Sequence, residues 1–541
     1  MTPAPGDFFQ TRPVAMGRNG VASTPHGLAS EAAIDVMRRG GNAVDAAVTA
    51  AAVCAVVQPF SSGIGGLGWA TVHDAASGSV EVLEFHGRVP EGTHAGLFAA
   101  GPDGLIEGKE LEARGKGLLG SLVPGALAGW DELLRAKGTL TLAEALAPAI
   151  QIAADGFPVS TLLHRTIREE SERLLRWPAS ARLFFGDGRP LAPGAILRQP
   201  ELAATLRRIA GEGIGVFYDG PIGQSLARFY QENGGALSVR DLVDYRPNWR
   251  PALTGTYRDY TIKAAPAPLG DLSFLQGLGI LERLPRFAGP LDADYVHASL
   301  ESAKLVRADR GRYLGDTGAP AEAFAHLIAP AYLDALAARV GTRARIAPPE
   351  PPGPPHTITL AVIDKAGNAV HLMQTVGYPF GTGAVDGETG IIPNSSLYFA
   401  DADPARPNGV APGKRLEQNP AVMMAFGREG GLAFIVGSPG GKTRVETVRQ
   451  MLVNIVDFGM NIQQAVDAPR FLSAPDGVTA ELEEGMTRLA PGLPARLEAR
   501  GHRVATVARR FGTGQAVMID PATGARMGGA DWRQESVAMA Y

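Results

Sequence analysis

Thr357-Ile358-Thr359-Leu360-Ala361-Val362-Ile363-Asp364-Lys365-Ala366-Gly367-Asn368-Ala369-Val370-His371-Leu372-Met373-Gln374-Thr375 is the stretch from which the fold can be read. Two runs rich in β-branched and apolar residues flank Lys365-Ala366-Gly367, which predicts a hairpin whose three-residue loop closes on a left-handed glycine. Pairing Asp364 with Asn368 fixes the register and sets Thr357 opposite Thr375; a slip of one residue would turn one strand over. Directly upstream runs Ala347-Pro348-Pro349-Glu350-Pro351-Pro352-Gly353-Pro354-Pro355. Such a segment joins neither a helix nor a central strand, so it predicts an exposed, polyproline-like boundary. An exposed run thus ends at a threonine that opens a strand and faces a second hydroxyl. The arrangement suits chemistry, but a plain linker followed by a Thr–Thr cross-strand pair describes it as well. Pattern alone favours the plain pair.

Outward from the hairpin, residues 29–57 read as an Ala-rich helical pair. Ser30 is expected to cap the first helix, Gly40-Gly41 to stop it, and Asn42 or Ala43 to open the second, which runs to Val57. The Gly-rich turn 61–68 leads to strands near 69–75 and 79–86. Residues 122–250 look mostly helical, with apolar residues at helical spacing from Leu142 to Ala154. Tyr257 to Ala264 reads as a short strand, and 291–313 as a long amphipathic helix. On the C-terminal side, Phe434-Ile435-Val436 is a strand, 437–443 a tight turn, and a helix follows from about Arg444 to Val456. The mixture predicts an α/β fold.

That tight turn resembles a phosphate-binding loop but fails its spacing. Gly437 leaves three residues before Gly441-Lys442-Thr443 where the motif needs four. The turn preceding 69–75 follows a helix and precedes a strand, the wrong order for a dinucleotide fingerprint. The physical point that survives is that amides at a helix N-terminus face negative charge, either a ligand anion or a transition-state oxyanion. A tight turn with no ligand is the plainer alternative.

Composition narrows the chemistry. A chain of 541 residues predicts at least two packed units, and 45% hydrophobic with 20% charged residues is a soluble, globular balance. With 51 basic and 55 acidic residues the net charge is −4, which disfavours nucleic acid as a partner. The single cysteine, Cys54, excludes an internal disulfide and a multi-cysteine metal site. No two of the ten histidines are four apart, so no helical zinc pair exists and no metal site is expected. The longest nearly apolar run, Ala46 to Val57, is too short to span a bilayer. Met1 to Asp7 lack the features of a secretory signal, so a cytoplasmic protein without membrane partners is expected. No Gly-x-Ser-x-Gly elbow occurs, and Cys54 lies in an apolar helix where it reads as an inert packed thiol. Thr357 is the nucleophile candidate that remains.

A series of blocks in order carries a family resemblance. They include Gly40-Gly41-Asn42-Ala43-Val44-Asp45-Ala46-Ala47, Gly63-Ile64-Gly65-Gly66, Val123-Pro124-Gly125, Ala308-Asp309-Arg310-Gly311-Arg312-Tyr313, Gly437-Ser438-Pro439-Gly440-Gly441, Ala468-Pro469-Arg470-Phe471 and Gly529-Ala530-Asp531-Trp532-Arg533. The chain resembles the gamma-glutamyltransferase family of N-terminal nucleophile hydrolases almost end to end. The resemblance implies a four-layer αββα sandwich and a precursor that cuts itself between His356 and Thr357. The two pieces, 1–356 and 357–541, then stay together as a heterodimer that needs no cofactor. It further implies Thr357 as nucleophile, Thr375 as its hydrogen-bond partner, and Gly440 and Gly441 as the oxyanion pair. A free α-amine has an ordinary pKa of about 7.7–8.0, so the same residue supplies nucleophile and base.

The chain departs from the glutathione-type pattern where a glutamyl group would bind. Gly377 stands for an Asn, Phe399 for an acidic residue, and Lys414-Arg415-Leu416-Glu417-Gln418-Asn419-Pro420 lacks the paired serines. His86-Gly87-Arg88-Val89-Pro90 looks more like the acylase branch, with Arg88 either a substrate carboxylate clamp or a structural ion-pair residue. The expected function is therefore hydrolysis of a small-molecule amide through a threonyl acyl-enzyme. The alternatives are a glutathione hydrolase or transpeptidase and, more remotely, an unprocessed binding protein.

Overall fold

The structure is a computed structural model and describes residues 10–101, 104–113, 115–268, 270–347, 357–508 and 511–541. His356 and the proline run after Ala347 lie outside the described residues.

The hairpin forms with the expected register. Strand Ile358–Ile363 pairs with Ala369–Thr375 through Ile358 opposite Gln374 and Ile363 opposite Ala369. Asp364 and Asn368 close the loop, and Gly367 takes a φ of 92°. These two strands sit near the middle of a seven-stranded antiparallel sheet, in the order Val537–Ala540, Val21–Thr24, Ile358–Ile363, Ala369–Thr375, Leu67–His73, Val80–Phe85, Asn248–Pro251. A second seven-stranded sheet contains Leu432–Gly437 beside Gln515–Ile519. Val21, Ile363, Met424, Ile435 and Val517 pack between the two sheets. Helices cover both outer faces: Ala43–Val57 lies on the first sheet, and Asp271–Glu282 and Arg444–Val456 on the second. The result is an αββα sandwich.

Helix Ala43–Val57 starts where the sequence predicts, with Asn42 and Asp45 forming a reciprocal capping box. All 15 of its residues are buried, as expected for a helix apolar on every side. Cys54 is among them, and burial pushes its thiol far above the usual range.

Three local expectations change. The first helix is Gly27–Arg38, capped by the ring of His26. Ser30 lies inside it, where its hydroxyl bonds Thr24 and the Val537 carbonyl, stitching helix to sheet. The Tyr257–Ala264 region is the end of one strand and the whole of the next: Leu253–Tyr257 and Tyr260–Ala264 pair as a hairpin turning at Arg258, whose φ is 54°. Helix Ala293–Tyr313 begins at its Asp292 cap and is buried around most of its circumference. Its polar residues pair internally, as Lys304 does with Glu301 at 2.8 Å, so a pattern that reads as amphipathic is enclosed instead. Among the described residues, no helix is long and apolar enough to cross a membrane.

Candidate active site

Thr357 enters the central strand at one end of the first sheet, and Thr375 leaves its neighbour at the same end. Thr357 Oγ1 donates to Thr375 Oγ1 at 3.2 Å, and Thr375 Oγ1 also accepts the backbone N–H of Gly377 at 2.9 Å. Both threonines are buried. What else reaches Thr357 bears on the choice between chemistry and a plain cross-strand pair.

The second sheet delivers the tight turn to the same place. Strand Leu432–Gly437 ends, the chain turns through Gly440 with φ 136° and Gly441 with φ 56°, and helix Arg444–Val456 follows. Both glycines adopt backbone that favours the absence of a side chain. Ser438 Oγ accepts the N–H of Thr513, fixing the turn to the 511–514 segment. Asp531, held below the ordinary carboxylate range by Arg470 and Arg533, accepts from Gly514 at 2.7 Å and anchors that segment.

Thr357, Thr375 and Gly441 line one cavity of about 60 Å3, together with Gly377, Phe399, Glu417 and Gln418. The structure thus brings the candidate nucleophile together with most of the positions at which the sequence departs from the glutathione-type pattern. Gly377 has a φ of 90°, and a Cβ there would stand 2.7 Å from Ser395 Oγ and 3.0 Å from its carbonyl carbon, so a side chain would be strained and would have to displace Ser395. Gly440 is the residue before Gly441 and is not itself in the cavity wall.

Arg88 lies elsewhere, in a neighbouring cavity of about 420 Å3 that shares Glu417 with the first. Its backbone bridges Arg415, and its exposed side chain forms no ion pair or hydrogen bond with any described residue. The structural ion-pair alternative is therefore not what these residues form. Arg246, Arg250 and Arg415 join Arg88 in that wall. Glu84 answers two of them, accepting from Arg250 at 3.3 Å and lying 3.6 Å from Arg415. His86 is 1% exposed, stacks on Trp69 with ring centroids 4.8 Å apart, and finds no partner among the described residues for either ring nitrogen. Burial, then the Arg415 charge, push its pKa down to about 3, so it is a neutral imidazole facing the cavity.

Sequence reasoning missed Arg444 and gave Arg310 no role. Arg310 lines the smaller cavity 4.0 Å from Glu417. Arg444 Nη2 donates to Thr357 Oγ1 at 3.2 Å. A signal for Arg444 existed, because a cation at the first helical position opposes the helix dipole.

A separate group of His297, Glu301 and His502 has ligand atoms within 4.8 Å of one another. It is held by a 2.8 Å bond between the two rings and by Lys304, whose ammonium supplies the cation beside Glu301.

The family model described as Gamma-glutamyltranspeptidase matches residues 29–541. Acylase ACY 1 proenzyme of Pseudomonas sp. (strain V22) is 35% identical, over 99% of this chain and 96% of that protein. Glutathione hydrolase proenzyme of Escherichia coli (strain K12) is 32% identical, over 93% and 89%. The crystal structure of cephalosporin acylase from Bacillus halodurans superposes with a TM-score of 0.87 at 29% identity, covering 99% of this chain and 98% of that one. The chain belongs to the gamma-glutamyltranspeptidase family, and is an enzyme of its hydrolase and acyltransferase chemistry built on the N-terminal nucleophile fold.

Proposed function

We propose that the chain cuts itself between His356 and Thr357 and then hydrolyses a small-molecule amide whose acyl part carries a carboxylate but no α-amine. Thr357 Oγ attacks the amide carbonyl, the Thr357 α-amine takes its proton, and the Thr375 hydroxyl orients it. The amides of Gly440 and Gly441, at a helix N-terminus, hold the oxyanion. The acyl-threonine ester is then released by water. Both sheets draw strands from either side of residue 356, which supports a processed pair of chains that remain interleaved.

The observation that carries the substrate assignment is charge. The walls of the two neighbouring cavities, which share Glu417, contain six arginines, at 88, 246, 250, 310, 415 and 444, against three carboxylates, Glu84, Asp316 and Glu417. An ammonium there would meet excess positive charge, and the carboxylate at Glu417 already faces Arg310. An acyl carboxylate would find Arg88 at the cavity wall with its fork of donors unengaged.

The second reading is a glutathione hydrolase or transpeptidase, which the Glu417 carboxylate in both cavity walls favours as an amine partner. The test has two arms. On a denaturing gel the wild type should give two fragments, the smaller starting at Thr357, and Thr357→Ala one inactive, full-length chain. The processed enzyme should then turn over a glutaryl anilide with a higher kcat/KM than the γ-glutamyl anilide. The opposite preference would promote the second reading.

A further inference from the structure

Arg444 stands where physical chemistry charges a cation twice. Its side chain is buried, with the residue 4% exposed, and burial pushes its pKa down to about 10. It also opens a 13-residue helix, where the dipole's positive end repels it. Among the described residues no carboxylate lies within ion-pair distance of it. The nearest negative groups are otherwise engaged: Asp271 accepts the backbone N–H groups of Ala265, Ala421 and Val422, and Glu417 stands opposite Arg310. Arg444 Nη1 donates to the Asn419 carbonyl, Nη2 reaches Thr357 Oγ1 at 3.2 Å, and Nε has no partner among the described residues. A buried charge with so few compensating contacts destabilises the fold, so its value lies elsewhere.

We propose that Arg444 is a catalytic residue whose fixed charge biases the α-amine of processed Thr357 toward its neutral, proton-accepting form near neutral pH. The inference rests on Thr357 being the N-terminal nucleophile. The amine and Oγ1 belong to one residue, so the guanidinium that donates to Oγ1 at 3.2 Å is also near the amine. Two unit charges about 5 Å apart, at an effective dielectric of about 20, would correspond to a shift of about two pH units.

The other charged groups around Thr357 set the net field. From the cavity wall, Arg310 and Glu417 largely cancel each other. From behind Arg444, Asp271 opposes it, but burial pushes that carboxyl up to about 6 and weakens its charge on acidification. On the strand itself, His371 bonds Thr359 and stays neutral, pushed down to about 4 by burial. The dipole of the 444–456 helix adds to Arg444. A net positive field remains, sufficient for about one pH unit.

The proton balance is simple. As the Oγ–carbon bond forms, the Oγ proton passes to the neutral amine and the carbonyl π pair becomes the oxyanion. Collapse restores C=O and breaks C–N, and the ammonium returns the proton to the leaving amine. Water repeats the sequence and frees the acid. An amine protonated beforehand cannot begin this cycle, so the acid limb of kcat/KM reports the amine.

The experiment compares pH profiles of kcat/KM for processed wild type, Arg444→Lys and Arg444→Gln. Loss of the charge in Arg444→Gln should move the acid limb up by about one pH unit or more, so that its deficit is tenfold or more near pH 6 and shrinks toward pH 9. Arg444→Lys should keep the limb within a few tenths. An Arg444→Gln profile lowered equally at all pH values, with its limb unmoved, overturns the proposal. If Arg444→Gln does not fold, the amine is titrated directly in processed wild type carrying 15N-threonine. A midpoint a unit or more below the ordinary value of about 7.7–8.0 supports the proposal, and a smaller depression overturns it. Failure of the underlying assignment looks different: Thr357→Ala would still split or remain active.

Discussion

Thr375→Val tests the site most directly, because it keeps the side-chain shape and removes one buried oxygen with two defined partners. That oxygen accepts from Thr357 Oγ1 at 3.2 Å and from the Gly377 N–H at 2.9 Å. Loss of the first bond removes about 0.5–1.5 kcal/mol of orientation, which converts to a rate about 2- to 10-fold lower. Loss of the second strands the backbone N–H of Gly377, itself at φ 90°, costing about 1–3 kcal/mol of stability. The variant should therefore fold but unfold at lower urea, and both self-cleavage and turnover should slow. Self-cleavage is followed as the decay of full-length chain on a denaturing gel, and stability by urea titration on the Thr357→Ala background, where no processing competes. Thr375→Ser, which keeps the oxygen, should restore both. If Thr375→Val processes and turns over at wild-type rates while losing stability, the hydroxyl is only a clip for the Gly377 turn, and the orienting role is wrong.

Gly377→Asn would seem to rebuild the glutathione-type pattern, yet its Cβ meets Ser395 Oγ at 2.7 Å and backbone atoms of Ser395 and Ser396 at 3.0 and 3.1 Å. It should lose stability and gain no γ-glutamyl turnover; a stable variant with raised γ-glutamyl kcat/KM would show that the turn yields. Acid should destabilise the fold through His371, which is buried between Thr359 and the Met423 carbonyl and pushed down to about 4. Because the folded pKa lies below the unfolded value of about 6.5, this contribution is complete above pH 6.5. It is lost as pH falls toward 4, and amounts to about 3 kcal/mol. His371→Gln should flatten the urea midpoint across that window, and an unchanged slope would assign the acid sensitivity to other groups.

The parts of this protein legible in its sequence are those governed by neighbours along the chain. The loop Lys365-Ala366-Gly367 fixes a register, and a register fixes which side chains meet, so the Thr357–Thr375 pairing followed from the hairpin alone. The Asn42 cap and the turn at Gly440-Gly441 are local in the same sense. Function came through the ordered blocks of the family resemblance, which named Thr357, Gly440 and Gly441 before the fold brought Thr357 and Gly441 into one cavity. Ser30 and helix 293–313 were misread because hydrogen bonds and burial supplied by distant strands and helices override local pattern. The arginines escaped for a further reason. A long flexible side chain has no direction encoded by its neighbours, so only packing decides that Arg444 folds back onto Thr357 while Arg88, in the wall of the larger cavity, pairs with no described residue. The sequence by itself determined the hairpin and its register and, through the family resemblance, singled out Thr357 as the candidate nucleophile. The tertiary structure decided the electrostatic field around that threonine, because charges as distant in sequence as Asp271, Arg310, Glu417 and Arg444 act on it only once the two sheets have closed.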